Sequence, residues 1–232
     1  MSSEWQSRTA LCVGEEGVER LRNTRVLLFG VGGVGSWCAE ALVRSGIGHL
    51  TLVDMDNVDV TNINRQLPAL HSTVGSPKVE VMRERLLDIN PEADIVARQE
   101  RFTADSAQTF GIGEYNYVID AIDSIQDKME LILLCTGSTQ CTFLSSMGAA
   151  RKFDPLQVRV TEFWKVDGCP LAAKLRKRMR KEQRFPARKF KCVWSPERNE
   201  AAATGGTLMP VTAAFGLALA SAVIQQQLCS LQ

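Results

Sequence analysis

Arg25–Asp56, RVLLFGVGGVGSWCAEALVRSGIGHLTLVDMD, reads as a strand, a glycine turn, a helix, a second strand and an acidic end. The apolar run Val26–Phe29 leads directly into Gly30, Gly32 and Gly35, which stand in G-x-G-x-x-G spacing. Glycines at those places let the chain turn sharply and bring its backbone close to a phosphate, whose charge is met by unpaired amides at the start of the next helix. Asp54 closes the following apolar run, where a carboxylate can hold a ribose hydroxyl. The block predicts an α/β chain: a Rossmann-like, doubly wound, mostly parallel sheet with a C-terminal extension of short strands and an apolar helix. Alone, it specifies a nucleotide without saying which one.

Strand-like and helix-like runs alternate outward from this block. Further strands are expected at Asp94–Ala97, Tyr117–Ile119 and Thr142–Ser145, beside Arg25–Phe29 and His49–Val53. The clearest helix is Pro77–Asn90, where Val79, Met82, Leu86 and Ile89 form one apolar stripe. Ser76 is its expected N-cap, Pro77 its first helical position and Pro91 its stop. Another helix is expected over Ile125–Cys135. After about Gly148 the pattern changes. Val158–Thr161 and Cys192–Trp194 read as short strands around a basic segment, and a loop with Gly205, Gly206 and Pro210 leads to the apolar C-terminal helix. Residues 1–232 are read as a single domain, with a nucleotide-binding core over 1–150 and an extension over 151–232.

The composition is that of a soluble globular protein: 232 residues, 45% hydrophobic, 23% charged, net charge +1. MSSEWQSRTA lacks the basic-then-apolar signature of a secretory signal. Seven cysteines with no C-x-x-C pair fit a reduced, cytoplasmic compartment better than a disulfide scaffold. With only His49 and His71 beside them, a structural zinc site is not expected. Gly206–Ile224 is uncharged and nearly long enough to span a bilayer, but it contains Pro210 and several small residues. A core or subunit-interface helix and a membrane contact are both open for it.

Four more features fall at the C-terminal edge of the expected sheet, where open α/β folds bind ligands. TNINRQ, Thr61–Gln66, follows Asp54 and Asp56; Lys78 opens the next helix; Asp120-Ala121-Ile122-Asp123 ends a strand; Arg8 sits in a short N-terminal element able to fold over the site. A triphosphate needs cations, and Arg65 with Lys78 supplies a planar fork and a point charge. Its magnesium needs a hard carboxylate, which Asp123 offers. Each has a plainer alternative: Asp54 or Asp123 as a helix cap, Lys78 or Arg8 as a solvated side chain, Asn62 as a turn residue. As a set they exceed what an ordinary dinucleotide dehydrogenase needs.

GVGGVGS, LVDMDNVDVTNINRQ, VGSPKVEVM and VIDAIDS together resemble the ubiquitin-activating-enzyme-like adenylyltransferases, which also include the thiazole and molybdopterin sulfur-carrier activators. That resemblance covers about residues 8–150. Within it, RSGIGHLTLVDMD and SSMGAARKFDPLQVRVT followed by CPLAAKLRKR are most similar to the tRNA threonylcarbamoyladenosine dehydratases, which extends the likeness to nearly the whole chain. The resemblance implies that Gly30, Gly32, Gly33 and Gly35 line the phosphates of ATP and that Asp54 holds the ribose. Asp56 and Gln66 would belong to the same site, Asn62, Arg65 and Lys78 would contact the polyphosphate, and Asp123 would bind Mg2+. It implies a homodimer in which Arg8 reaches the neighbouring subunit's nucleotide, so that Arg8, Arg65, Lys78 and Asp123 form the catalytic set. Two departures matter. The paired C-x-x-C zinc site of the sulfur-carrier activators is absent, and the region around Ala201–Gly206 is shorter than in longer dehydratases, with alanine in place of a cysteine that some members carry before the glycine loop. No thioester step is expected, and a structural role is expected for Cys192.

Lys174–Lys191, KLRKRMRKEQRFPARKFK, carries ten cations (Lys174, Arg176, Lys177, Arg178, Arg180, Lys181, Arg184, Arg188, Lys189 and Lys191) against Glu182 alone. A run of this kind is ordinarily a solvated face. With Phe185 and Phe190 interleaved, it also suits phosphates and stacked bases, so tRNA is the expected partner, with an anionic membrane surface as the rival. The expected reaction is ATP-dependent cyclisation of threonylcarbamoyladenosine beside the anticodon of ANN-decoding tRNA. It proceeds by adenylation of the carboxylate and then attack from within the same molecule. The alternatives are activation of a ubiquitin-like sulfur-carrier C-terminus and a non-catalytic NAD-binding regulator. A sulfur-transfer protein and peripheral membrane contact complete the expected partners.

Overall fold

A computed structural model of the chain describes residues 4–138, 140–199 and 205–229. In chain order the elements are α1 (Ser7–Arg22), β1 (Arg25–Phe29), α2 (Gly35–Arg44), β2 (His49–Val53), α3 (Lys78–Ile89), β3 (Asp94–Arg98), β4 (Tyr117–Asp120), α4 (Ile125–Gly137), β5 (Thr142–Ser146), β6 (Arg159–Glu162), α5 (Pro170–Glu182), β7 (Lys191–Trp194) and α6 (Met209–Cys229). The seven strands form one sheet in the order β3-β2-β1-β4-β5-β7-β6. All neighbours are parallel except β6, which runs antiparallel to β7 at the edge. This is the expected doubly wound architecture, and its strand order reverses between β1 and β4, where such sheets open a crevice.

Strand alternation explains the continuous apolar runs. Val26 and Leu28 enter one core and Leu27 and Phe29 the other, so both faces of β1 need hydrophobic cover. One face is covered by α2, α3 and α6, the other by α4 and α5. The register aligns Phe29 with Val53 and Asp120, and Asp120 with Ser145. Gly30, Asp54, Ala121 and Ser146 therefore emerge together at one edge.

The C-terminal apolar run is a core helix. Val211, Phe215, Leu219, Ala220 and Val223 of α6 are buried, and α6 packs mainly on α2. At Gly216 the two helices approach so closely that a Cβ would collide with the Val34 carbonyl oxygen. Although α6 is long and apolar enough to cross a bilayer, the protein interior already takes up much of its surface.

Two local expectations need correction. Helix α3 starts at Lys78, not Pro77, and Ser76 does not cap it. Pro77 is the cap residue in extended conformation (ψ 128°) and contributes no side-chain cap. The Lys78 amide donates to the Asp56 carbonyl, and the Ser76 carbonyl accepts from Val58, so the β2–α3 loop satisfies the helix start with main chain. The N-terminal element is a 16-residue helix broken at Gly14 (φ 75°, ψ 165°), not a short arm. Gln6, two residues before Arg8, packs against Gly46 just ahead of β2, at the sheet edge opposite the crevice.

Candidate active site

The glycine turn is fixed by backbone crowding. Gly30 has φ +88°, and a Cβ there would lie 2.7 Å from the Ala121 carbonyl oxygen; a Cβ at Gly35 would overlap the Gly30 carbonyl. Only glycine fits either place. Gly32 and Gly33 line the cavity that opens beside them, of about 530 Å³, at the C-terminal edge of the parallel strands.

Asp54 does more than end β2. Its carboxylate accepts from the Val31 amide at 2.6 Å and the Asp56 amide at 2.9 Å, so it braces the glycine turn as well as facing the cavity. Burial pushes its carboxyl above the usual carboxylate range, outweighing those amides and nearby Lys78. Lys78 is not a solvated lysine. It is 5% exposed and its Nζ donates to Asp56 at 2.8 Å, which assigns Asp56 to holding Lys78 at the cavity wall. Arg65 is fixed by Nη1 donation to the Thr61 carbonyl (3.0 Å) and Asn64 Oδ1 (2.8 Å), while the Trp37 indole donates to its carbonyl. Asn62 closes the Asp59 turn by accepting from the Asp59 amide, yet it also lines the cavity. Gln66 does too, and its Oε1 is buried without a hydrogen-bond partner among the described residues.

Asp123 is exposed to the cavity. It does not cap α4; Ser124 does, accepting from the Asp127 amide. No ion pair or side-chain hydrogen bond occupies Asp123 among the described residues, so its carboxylate is available to a cation. No cluster of three or more metal-ligating side chains occurs among the described residues. That chemistry suits a magnesium held by one carboxylate and by phosphate oxygens.

Arg8 is exposed and is not part of its own chain's cavity wall. Among the described residues no cysteine lines the cavity either. Burial pushes the Cys192 thiol up to about 12, in keeping with a structural role; Ala201–Thr204 lie outside the described residues.

The basic segment corrects two expectations. Phe190, just ahead of β7, is a core residue, 5% exposed and stacked on Phe163 at 4.9 Å. Four cations are already engaged by other groups of the chain. Arg176 donates to the Phe163 and Val166 carbonyls, and Arg178 pairs with Glu182. Arg184 pairs with Glu130 through two bonds of 2.6 and 2.7 Å, and Arg188 donates to the Cys135 and Cys141 carbonyls. Lys174, Lys177, Arg180, Lys181, Lys189 and Lys191 are exposed without an ion pair among the described residues. Leu171, in the first turn of α5, lines the cavity, so the helix starts at its mouth.

The sequence alone did not single out Arg101 and Asp127, an ion pair at 2.9 Å in the cavity wall, or the buried set Asp120, Lys128 and Ser145 below it. The available signal was a lone lysine just ahead of Met129, at the head of a largely apolar helix.

A model of the ThiF family matches residues 6–228. The chain is 47% identical over 176 residues to a tRNA threonylcarbamoyladenosine dehydratase of Bacillus subtilis, covering 76% of this chain and 69% of that one. It is 39% identical over 233 residues to one of Haemophilus influenzae, covering 92% and 89%. The crystal structure of the Escherichia coli tRNA N6-threonylcarbamoyladenosine dehydratase in complex with ATP is similar at a TM-score of 0.90 and 39% identity, covering 99% and 97%.

Proposed function

We infer the function of this chain from one premise: it belongs to the ThiF family. It is an ATP-dependent enzyme of the adenylyltransferase type that dehydrates threonylcarbamoyladenosine in tRNA. The observation that carries this reading is the gathering of Arg65, Lys78 and Asp123 around the cavity beside the glycine turn.

In this reading Asp54 holds the ribose, Gly32 and Gly33 leave room for the phosphates, and Gly30 and Gly35, packed against backbone, fix the turn that presents them. Asn62, Gln66, Arg65 and Lys78 face the polyphosphate. Asp123 holds magnesium, which supplies charge neutralisation at the phosphates. Arg65 and Lys78, both fixed before ligand arrives, stabilise charge as the threonylcarbamoyl carboxylate displaces pyrophosphate to form an acyl adenylate. The carbamoyl group then attacks the same carbonyl, AMP leaves and a ring closes. The attacking atom is tethered to its target, so no protein nucleophile is required. Cys38, Cys135, Cys141, Cys169 and Cys192 are buried and no cysteine lines the cavity among the described residues, which supports that.

Residues 1–150 serve as nucleotide core and 151–232 as substrate and dimer extension of one domain, a reading supported by the single sheet running through both. The free cations of α5 and the 189–191 segment guide ANN-decoding tRNA toward the cavity mouth. Arg8 acts on the partner nucleotide of a homodimer; its exposure and its absence from its own chain's cavity wall support this. A cytoplasmic enzyme needs no lipid contact from α6, on which Leu217 is exposed and available to a peripheral membrane contact.

The test is incubation with α-labelled ATP and either tRNA bearing threonylcarbamoyladenosine or a sulfur-carrier protein. AMP release and a nucleoside about 18 Da lighter only with tRNA are expected, the mass being that of one water lost. Release only with the carrier would establish the alternative.

A further inference from the structure

Beneath the Asp123 segment lies a charged set that the nucleotide reading leaves unused. Asp120, Lys128 and Ser145 are all fully buried. Lys128 Nζ donates to Asp120 Oδ2 at 2.7 Å, and Ser145 Oγ donates to the same oxygen at 2.6 Å. The other oxygen, Oδ1, accepts from the Ile122 amide at 3.0 Å. One carboxylate thus ties together β4, β5, α4 and the turn that presents Asp123. That turn also abuts the glycine loop. Ala121 donates to the Phe29 carbonyl, and its own carbonyl fills the place of a Gly30 side chain.

A buried ion pair is a poor source of stability, because desolvating both charges offsets their attraction. Its location gives a better account of it. Ala121 through Ser124 all line the cavity, and the hydrogen bond from Ile122 sets the turn one residue before Asp123. We propose that Lys128 is a positioning residue: by neutralising Asp120 and holding it against the Ile122 amide, it fixes the Asp123 carboxylate where magnesium-bound ATP requires it. Without Lys128, Asp120 would be an unpaired anion below the phosphate site and would draw the turn out of shape.

This inference rests on the assignment of magnesium to Asp123, and the experiment separates the two. Lys128→Met alone strands a buried carboxylate and is expected to unfold readily, so the informative protein is Asp120→Asn/Lys128→Met. It removes both charges and keeps an oxygen for the Ile122 amide. The measurements are the melting temperature, and ATP affinity by calorimetry with magnesium and with EDTA. The expected result is a near-native melting temperature, affinity for ATP in magnesium weakened about tenfold, as supporting partners of metal ligands typically show, and little change in EDTA. Unchanged magnesium-dependent affinity in a folded double variant overturns the proposal. Should that protein not fold, Asp120→Asn/Lys128→Gln decides, because it removes both charges while keeping a hydrogen-bonding pair in their place. A rise in the magnesium concentration needed for half-saturation supports the role, and no change overturns it. Asp123→Ala serves as the reference. If it too binds ATP with unaltered magnesium dependence, the metal assignment itself is wrong.

Discussion

The cations of the cavity and those of the 174–191 segment are held in opposite ways. Lys78 is buried against Asp56, and Arg65 is clamped by Thr61 and Asn64, so each has one position before ligand arrives. Lys174, Lys177, Arg180 and Lys181 stand in solvent on one helix, while Arg176, Arg184 and Arg188 in the same segment hold the fold together. Fixed charges give geometric selectivity, since no reorganisation is needed when charge develops. Mobile ones give attraction that depends on salt and tolerates many polyanions. Positive charge in one stretch of sequence therefore divides into separate jobs, and counting it does not distinguish them.

The sharpest way to break this contrast is at the cavity. Arg65→Ala or Asp123→Ala should lower ATP-dependent cyclisation about a hundredfold or more, near 3 kcal/mol, with the melting temperature preserved. Turnover within severalfold of the parent would put that residue outside the chemistry. Arg188→Ala strands two carbonyls beneath the segment. It should cost about 2 kcal/mol in urea unfolding and leave the salt dependence of tRNA binding alone. Replacing Lys177, Arg180 and Lys181 with alanine should do the reverse. We expect stability to hold and tRNA affinity to fall about tenfold, with a log–log salt slope shallower by roughly 0.7–0.9 for each phosphate that is no longer neutralised. A slope identical to the parent's would remove α5 from the RNA path.

The smallest effect sharpens the comparison through pH. Burial raises the Asp54 carboxyl above its unfolded value, so the folded state binds the proton more tightly. Any stability from protonated Asp54 is full below the unfolded pKa and is lost as pH rises through the folded one. Asp54→Asn should remove that slope just above the ordinary carboxylate range, seen in unfolding curves at successive pH values, while weakening nucleotide binding at neutral pH. An unchanged pH profile would mean that the ionised carboxylate is fully compensated by its amides.

The candidate site was legible where its residues sit at backbone places that the chain itself dictates. Crowding at Gly30 and Gly35 admits nothing else, and strand register carries Asp54 and Asp120 to the same edge. The extension was legible in its elements but not in its side chains. Phe190 looked like a partner for bases because its neighbours are charged, yet the Phe143 and Phe163 rings hold it inside the core. Lys128 was hidden for the opposite reason: its partner lies on another element, and a lone lysine on a helix carries no pattern of its own.

Close approach of Gly216 to the Val34 carbonyl gives the site a dependence on order of synthesis. The glycine loop leaves the ribosome about 180 residues ahead of the helix that braces it, and domains generally fold as units during translation. Until α6 docks, the nascent glycine turn has no rigid back wall. The protein should therefore acquire affinity for ATP late in its production, and a ribosome-stalled chain ending shortly before Met209 should bind none.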